Sequence, residues 1–155
     1  MGVGKTAVCG ELKHLLDNAV FLDGDWCWDA DPFRVTEETK AMVLQNICFL
    51  LNGFLHCSAY DNIIFCWVMH EQAIIDTILD RLDLKECEVR TVSLICGEET
   101  LRARLQKDIE AGKRTPDIID RSLSRLPLYQ ELNTVKLIAD GKSVRDIADE
   151  ITVLP

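Results

Sequence analysis

The sequence predicts an α/β fold: a parallel sheet with helices on both faces. Short apolar runs alternate with segments of helical spacing along all 155 residues. One run, Ile63-Ile64-Phe65-Cys66-Trp67-Val68, is continuously apolar, as a strand covered on both faces should be. A glycine-rich loop, Gly2-Val3-Gly4-Lys5-Thr6, opens directly into a helix. Strand-helix alternation of this kind requires crossover connections, which make neighbouring strands parallel.

The elements follow in order. The first helix spans 4–17, and a short strand, Ala19 to Leu22, ends at Asp23-Gly24-Asp25. Residues 24–35 hold Trp26, Trp28, Pro32 and several acids and read as a loop. Thr36 is placed to cap a long helix through Cys57, with Glu37 and Glu38 in its electropositive first turn. Met42, Ile47, Leu50, Leu51, Phe54 and Leu55 form its broad apolar face. After the strand at 63–68, Glu71 to Leu82 returns to helical spacing, Val89 to Ile95 is a strand, and Glu98 to Ala111 is a helix. Gly112 to Pro116 breaks the chain before a helix expected over Asp117 to Leu132. The last strand is Thr134 to Ala139, and Ser143 caps a closing helix. No linker, repeat or low-complexity tract interrupts the chain, so residues 1–155 are read as a single domain.

Composition narrows the function classes. Hydrophobic residues are 48% and charged residues 28%, ordinary for a globular protein. No segment approaches the roughly 18 uninterrupted apolar residues of a membrane span, and no signal peptide is evident. A net charge of −9 argues against nucleic acid as a partner, because phosphate backbones need clustered cations. Arg102, Arg104, Lys107, Lys113, Arg114, Arg121 and Arg125 nevertheless fall in one stretch. Singly they suit ion pairs with Glu98, Glu99, Asp108, Glu110, Asp117 and Asp120; as a group they suit a clamp for a small polyphosphate. Seven cysteines without a C-x-x-C pair read as buried free thiols in a reducing, cytoplasmic setting.

The opening loop carries the chemistry. Gly2-Val3-Gly4-Lys5-Thr6 is the later part of the phosphate-binding (Walker A) motif G-x-x-x-x-G-K-[ST]. Glycines let main-chain N–H groups approach phosphate oxygens, Lys5 reaches the outer phosphates, and Thr6 is placed to hold Mg²⁺. Gly2, Val3, Gly4, Lys5, Thr6 and Ala7 are therefore the expected ATP-binding set. The motif's first glycine is expected two residues ahead of Met1, with a strand before it.

These features resemble the small P-loop kinases: the shikimate, gluconate, adenylylsulfate and nucleoside monophosphate kinases. The resemblance rests on Gly2-Val3-Gly4-Lys5-Thr6, on Phe21-Leu22-Asp23-Gly24-Asp25, on Leu101-Arg102-Ala103-Arg104-Leu105 leading into the arginine-rich segment, and on Val135-Lys136-Leu137-Ile138-Ala139-Asp140. It implies a three-layer fold with strand order 2-3-1-4-5, whose first, central strand is missing from this chain. It also implies ATP and Mg²⁺, with Asp23 in a water-mediated metal role beside Thr6 and Asp25 orienting or deprotonating an acceptor hydroxyl. Arg104 is expected near the nucleotide and Arg114 or Arg121 over the transferring phosphate. Trp26, Arg34, Trp67 and His70 come from segments that border the acceptor pocket; Trp67 suits a core position equally, and His70 suits a helix entry. The strand-end acid that many P-loop NTPases carry is absent from Cys66-Trp67-Val68-Met69-His70.

The expected function is an ATP-dependent kinase for a small-molecule acceptor; the alternative is a non-catalytic or inactive nucleotide-binding module. A central strand buries about five apolar side chains at roughly 1.5–3 kcal/mol each, a sum comparable to a domain's whole stability. The chain as written is therefore expected to be truncated, poorly stable and inactive, unless its sheet closes over the gap. Neither the acceptor nor the oligomeric state can be read from the residues.

Overall fold

A computed structural model describes residues 2–154. Helix α1 (Lys5–Leu15) leads to strand β1 (Ala19–Asp23), and a 3-10 turn (Gly24–Cys27) follows it. Helix α2 (Glu37–Leu55) precedes β2 (Asn62–Cys66) and α3 (Gln72–Leu79). Then come β3 (Val92–Ile95), α4 (Glu98–Glu110), α5 (Ile118–Leu123), α6 (Leu126–Glu131), β4 (Val135–Ile138) and α7 (Val144–Thr152).

Both polar caps read from the sequence form. Thr36 Oγ1 accepts from the Thr39 main-chain N at 3.1 Å, and Thr39 Oγ1 accepts in return from Thr36 N at 2.8 Å. Ser143 and Asp146 make the same reciprocal box at the start of α7, with bonds of 3.0 and 3.1 Å. Each box satisfies two N–H groups that the helix itself leaves without acceptors.

The strands are parallel, as expected. β1 pairs parallel with β2, from Ala19 opposite Asn62 to Asp23 opposite Cys66. β3 pairs parallel with β4, from Val92 opposite Val135 to Ile95 opposite Ile138. These are two separate two-stranded sheets in place of one continuous sheet, and no ladder joins β2 to β3. Helices still cover both faces, because β2 alternates. Ile64 packs with Val8 and Leu12 of α1 and Ile147 of α7. Ile63 and Phe65 pack with Val43, Ile47 and Leu51 of α2 and Ile78 of α3. Arg145 Nη1 to Glu11 Oε1, at 2.9 Å, ties α7 to α1.

Two helix expectations need correction. The run 117–132 is two helices, because Pro127 in the first turn of α6 has no N–H and its ring excludes a continuous helix through Ser124 and Arg125. On α2 the buried residues are Val43, Ile47, Cys48 and Leu51, whereas Met42 and Leu50 are 44% and 37% exposed. The apolar stripe is wider than the core it meets. Among the cysteines, all free, only Cys48 and Cys66 are fully buried, and Cys57 and Cys87 are exposed. No helix among the described residues is long and apolar enough to cross a membrane.

Candidate phosphate site and its flanking acids

The loop ahead of α1 has the backbone of an anion cradle. Gly2 and Gly4 have φ of 78° and 100°, left-handed values that only glycine holds at little cost. Gly4 is the N-cap of α1 and makes no side-chain cap bond, and the helix's first turn carries no acid. Its leading N–H groups and the positive end of its dipole are thus left for an anion. A Cβ on Gly2 would meet Leu105 Cδ2 at 2.7 Å, so the loop lies directly on α4.

Lys5 is half-buried beside this loop. Burial pushes its ammonium below the usual lysine range, while the Asp23 and Asp25 carboxylates act in the opposite direction. Thr6 Oγ1 donates to Asp23 Oδ2 at 2.6 Å. Asp23 is buried, and its other oxygen accepts from Asp25 N at 3.1 Å, capping the 3-10 turn. The last residue of β1 is therefore held to the first turn of α1 on one side and to the Asp25 turn on the other. Cys66, at the end of β2, adds its Sγ at 3.5 Å from Asp23 Oδ2. A hydrogen bond with Cys9, then burial and Asp23, push the Cys66 thiol up and keep it protonated.

Asp25 Oδ1 accepts from Trp67 Nε1 at 3.1 Å. Burial and the neighbouring Asp23 charge raise the Asp25 carboxyl above the usual aspartate value; the Trp67 bond, Lys5 and Arg114 oppose the shift. A carboxylate raised in this way is a stronger proton acceptor than an ordinary aspartate. Gly24 makes the contact possible, because its α-carbon lies against the Trp67 ring. Trp67 also packs edge-on to Trp28 at 6.2 Å.

The remaining expected residues divide. Arg104 bridges the loop to the last strand: Nη1 donates to Val3 O at 2.9 Å and Nη2 to Ala139 O at 3.1 Å. Arg114 is paired with Asp108 at 3.1 Å yet acts electrostatically on Asp25. Arg121 is an exposed residue of α5, paired with Asp117 at 3.3 Å, and makes no hydrogen bond to the loop or the Asp23–Asp25 turn among the described residues. Trp26, 60% exposed, and Arg34 line one cavity of ≈ 380 Å³ with Trp28, Phe33, Met42 and Asn46. Ala7 lies on the exposed side of the first turn of α1. His70 stands apart from that cavity, 3.4 Å from Glu71. Burial and the Arg125 charge lower its pKa, and its buried Nδ1 has no partner among the described residues.

The sequence reading missed Cys66 and Cys9 beside Asp23, and Phe33, Met42 and Asn46 in the cavity. Phe33 and Met42 flank the aromatic loop and signal a wall only once α2 is known to expose Met42. Cys66 is 43 residues from Asp23 and carried no local signal.

Residues 1–124 match the AAA domain family. A search of curated proteins by sequence returns no significant match. Among solved structures, the Deinococcus radiodurans tunicamycin resistance protein superposes with a TM-score of 0.73 at 17% identity, over 97% of this chain and 88% of that one. A gluconokinase from Sinorhizobium meliloti gives 0.67 at 18% identity, over 97% and 83%. With the loop, the acids after β1 and the parallel strand pairs in place, the architecture is that of the P-loop kinases, and the chain belongs to the AAA domain family.

Proposed function

We propose that the protein is an ATP-dependent phosphotransferase that moves the γ-phosphoryl group to a hydroxyl of a small molecule. The observation that carries this reading is the pair of bonds on Asp23, 2.6 Å to Thr6 and 3.1 Å to the Asp25 main chain. They tie the turn that carries Asp25 to the phosphate loop, which supports reading Asp25 as a proton acceptor there. Lys5 and the α1 N–H groups receive the phosphates, and Asp25 orients the acceptor hydroxyl and takes its proton. Arg114 offsets charge beside Asp25, Arg104 fixes the loop edge near the nucleotide, and Arg121 remains a candidate for closing over the transferring phosphate. Phosphoryl transfer asks for this positioning and charge neutralisation more than for covalent help.

Mg²⁺ suits the donor set, because a hydroxyl and a carboxylate are hard oxygen ligands and the ion takes few of them from protein when phosphates supply others. Thr6 would hold it with Asp23 behind, and it would neutralise charge between the outer phosphates.

The acceptor belongs in the cavity of Trp26, Trp28, Phe33 and Arg34. Its aromatic walls favour a molecule with a flat or apolar face, such as a base, a sugar ring or a drug scaffold. The neighbour named for tunicamycin resistance makes drug-like hydroxyl compounds a sensible first screen. Trp67 holds Asp25, and His70 is assigned to a more distant wall. The seven free thiols suit a reducing, cytoplasmic compartment, and the whole chain is proposed as one domain with no nucleic acid or membrane partner.

ATP turnover with an acceptor panel tests the proposal. Asp25→Asn should lose turnover by about 10²–10⁴-fold while nucleotide affinity holds. The acid limb of the wild-type rate profile should sit above the ordinary aspartate pKa. Equal turnover in wild type and Lys5→Ala would overturn it. The split sheet favours one second reading, a nucleotide-binding module without turnover, and ATP binding with no acceptor phosphorylated would select it.

A further inference from the structure

Two thiols that the kinase reading leaves unused meet behind the phosphate loop. Cys9 lies on α1 one turn beyond Lys5 and Thr6. Cys66 closes β2 and stands opposite Asp23 in the parallel register. Its Sγ donates to Asp23 Oδ2 at 3.5 Å, and the same oxygen accepts from Thr6 Oγ1 at 2.6 Å. The end of β2 is therefore anchored against the first turn of α1, and Cys9, three positions after Thr6, is Thr6's neighbour on the helix surface. The strand supplies a second constraint. Ile64 faces α1, where it packs with Val8, Leu12 and Cys9, and Cys66 is two residues further on, so it shares that face. The two thiols border the same cavity and share a hydrogen bond.

We propose that Cys9 and Cys66 are a modification site: hydrogen peroxide joins them in a disulfide that disturbs the phosphate site. Cys9 is the partly exposed member and meets the oxidant first, whereas Cys66 is only 5% exposed. The hydrogen bond from Cys66 lowers the Cys9 thiol pKa against burial and the Asp23 charge, and the Lys5 charge assists. The Cys9 thiolate attacks one peroxide oxygen, the O–O bond breaks, and Cys9 becomes a sulfenic acid. The released hydroxide takes up the proton that Cys9 gave away. The Cys66 sulfur then attacks the Cys9 sulfur, the S–O bond breaks as the S–S bond forms, and the departing hydroxide leaves with the Cys66 proton as water. The two thiols together lose two electrons and two protons, and one peroxide becomes two waters.

The bridge reaches the chemistry through Asp23. That carboxylate accepts from Thr6 Oγ1, from Asp25 N and from Cys66 Sγ. A bridged sulfur has no proton to donate, so oxidation removes the third of these bonds and draws the end of β2 towards α1. Asp23 is the group read as standing behind Thr6 and Mg²⁺, and this consequence rests on that reading. Outer partners of a metal site are worth about ten- to a hundredfold in affinity or activity, so oxidation should weaken ATP binding in the presence of Mg²⁺ by about that factor. In a reducing compartment such a bridge is transient, which suits a sensor of peroxide better than a structural staple.

The test uses the chain with its two exposed thiols removed as Cys57→Ser and Cys87→Ser, and the same parent with Cys9→Ser or Cys66→Ser added. Each protein is treated with hydrogen peroxide, its remaining thiols are alkylated, and its peptides are mapped by mass before and after dithiothreitol. The parent should give one linked pair of peptides, carrying Cys9 and Cys66, that dithiothreitol releases, and neither serine variant should give it. ATP affinity of the parent should fall about ten- to a hundredfold on oxidation and return on reduction, with a change under about twofold in both variants. Oxidation of Cys9 to a sulfinic acid, a bridge to any other cysteine, or no reaction at either position would overturn the inference. The parent's own map decides this even where a serine variant fails to fold. A linked pair with equal ATP affinity in both states would overturn the role at the site. A linked pair in a chain that never binds ATP would support the modification and count against the kinase reading, so the two failures are distinguishable.

Discussion

Gly24→Ala tests the contact that holds Asp25. The φ of Gly24 lies outside the left-handed region, so alanine adds no backbone strain, and the effect must come from its methyl group. That methyl would lie 2.5 Å from Trp67 Cγ, 2.6 Å from Cδ1 and 2.9 Å from Cβ. Two of these atoms belong to the rigid ring and the third anchors it, so the whole indole must move. Overpacking of this kind costs about 1–3 kcal/mol. For a chain of this length each kcal/mol moves the midpoint by about 2–4 °C, so the melt should fall by about 2–12 °C. Displacing the indole also breaks the 3.1 Å Trp67–Asp25 bond. That bond lowers the Asp25 pKa, so losing it raises a carboxyl already held high, and the acid limb of turnover moves to higher pH. Thermal denaturation, tryptophan emission and a pH–rate profile measure the three effects. An unchanged melt with unchanged emission would refute the reasoning, since the ring could not then have been where the contact requires.

Three further outcomes can be checked together. Lys5→Met should weaken ATP binding about ten- to a hundredfold, the worth of a charged hydrogen bond, without lowering the melt at neutral pH. Its folded-state pKa is depressed, so the native protein bears a cost for the charged form below the unfolded pKa that methionine removes. Arg104→Lys should loosen the loop, because one ammonium cannot reproduce a fork that reaches Val3 and Ala139; a loss of about 1–3 kcal/mol and weaker ADP binding by calorimetry are expected. Ser143→Ala should cost about 0.5–2 kcal/mol, read as a fall of about 1–8 °C in the melt, through loss of the α7 cap.

Local physics made much of this molecule legible. Thr36 and Ser143 could be read as caps because the partner lies three residues on. The loop glycines and Asp23-Gly24-Asp25 could be read because spacing along the chain sets their geometry. Arg102 and Arg121 behaved as surface residues, each bonded four positions away to Glu98 or Asp117. What was not legible is non-local. Which side of an apolar stripe meets a core depends on the width of the neighbouring layer, and so Met42 and Leu50 came out exposed. Cys66 gained its place beside Asp23 only through the parallel register of β1 and β2. Pro127 did carry a local signal, and the long-helix reading of 117–132 passed over it.

The fork of Arg104 has a temporal consequence. It joins Val3 to a carbonyl at position 139, across a sequence separation of 101 residues on one arm and 35 on the other. Val3 leaves the ribosome well before Ala139. At about 5–20 residues per second the interval is roughly seven to thirty seconds. Throughout it, the phosphate loop lacks the brace that fixes its edge. The phosphate loop is therefore made well before its brace, and a nascent chain should gain affinity for ATP only once residues 135–139 are free to dock.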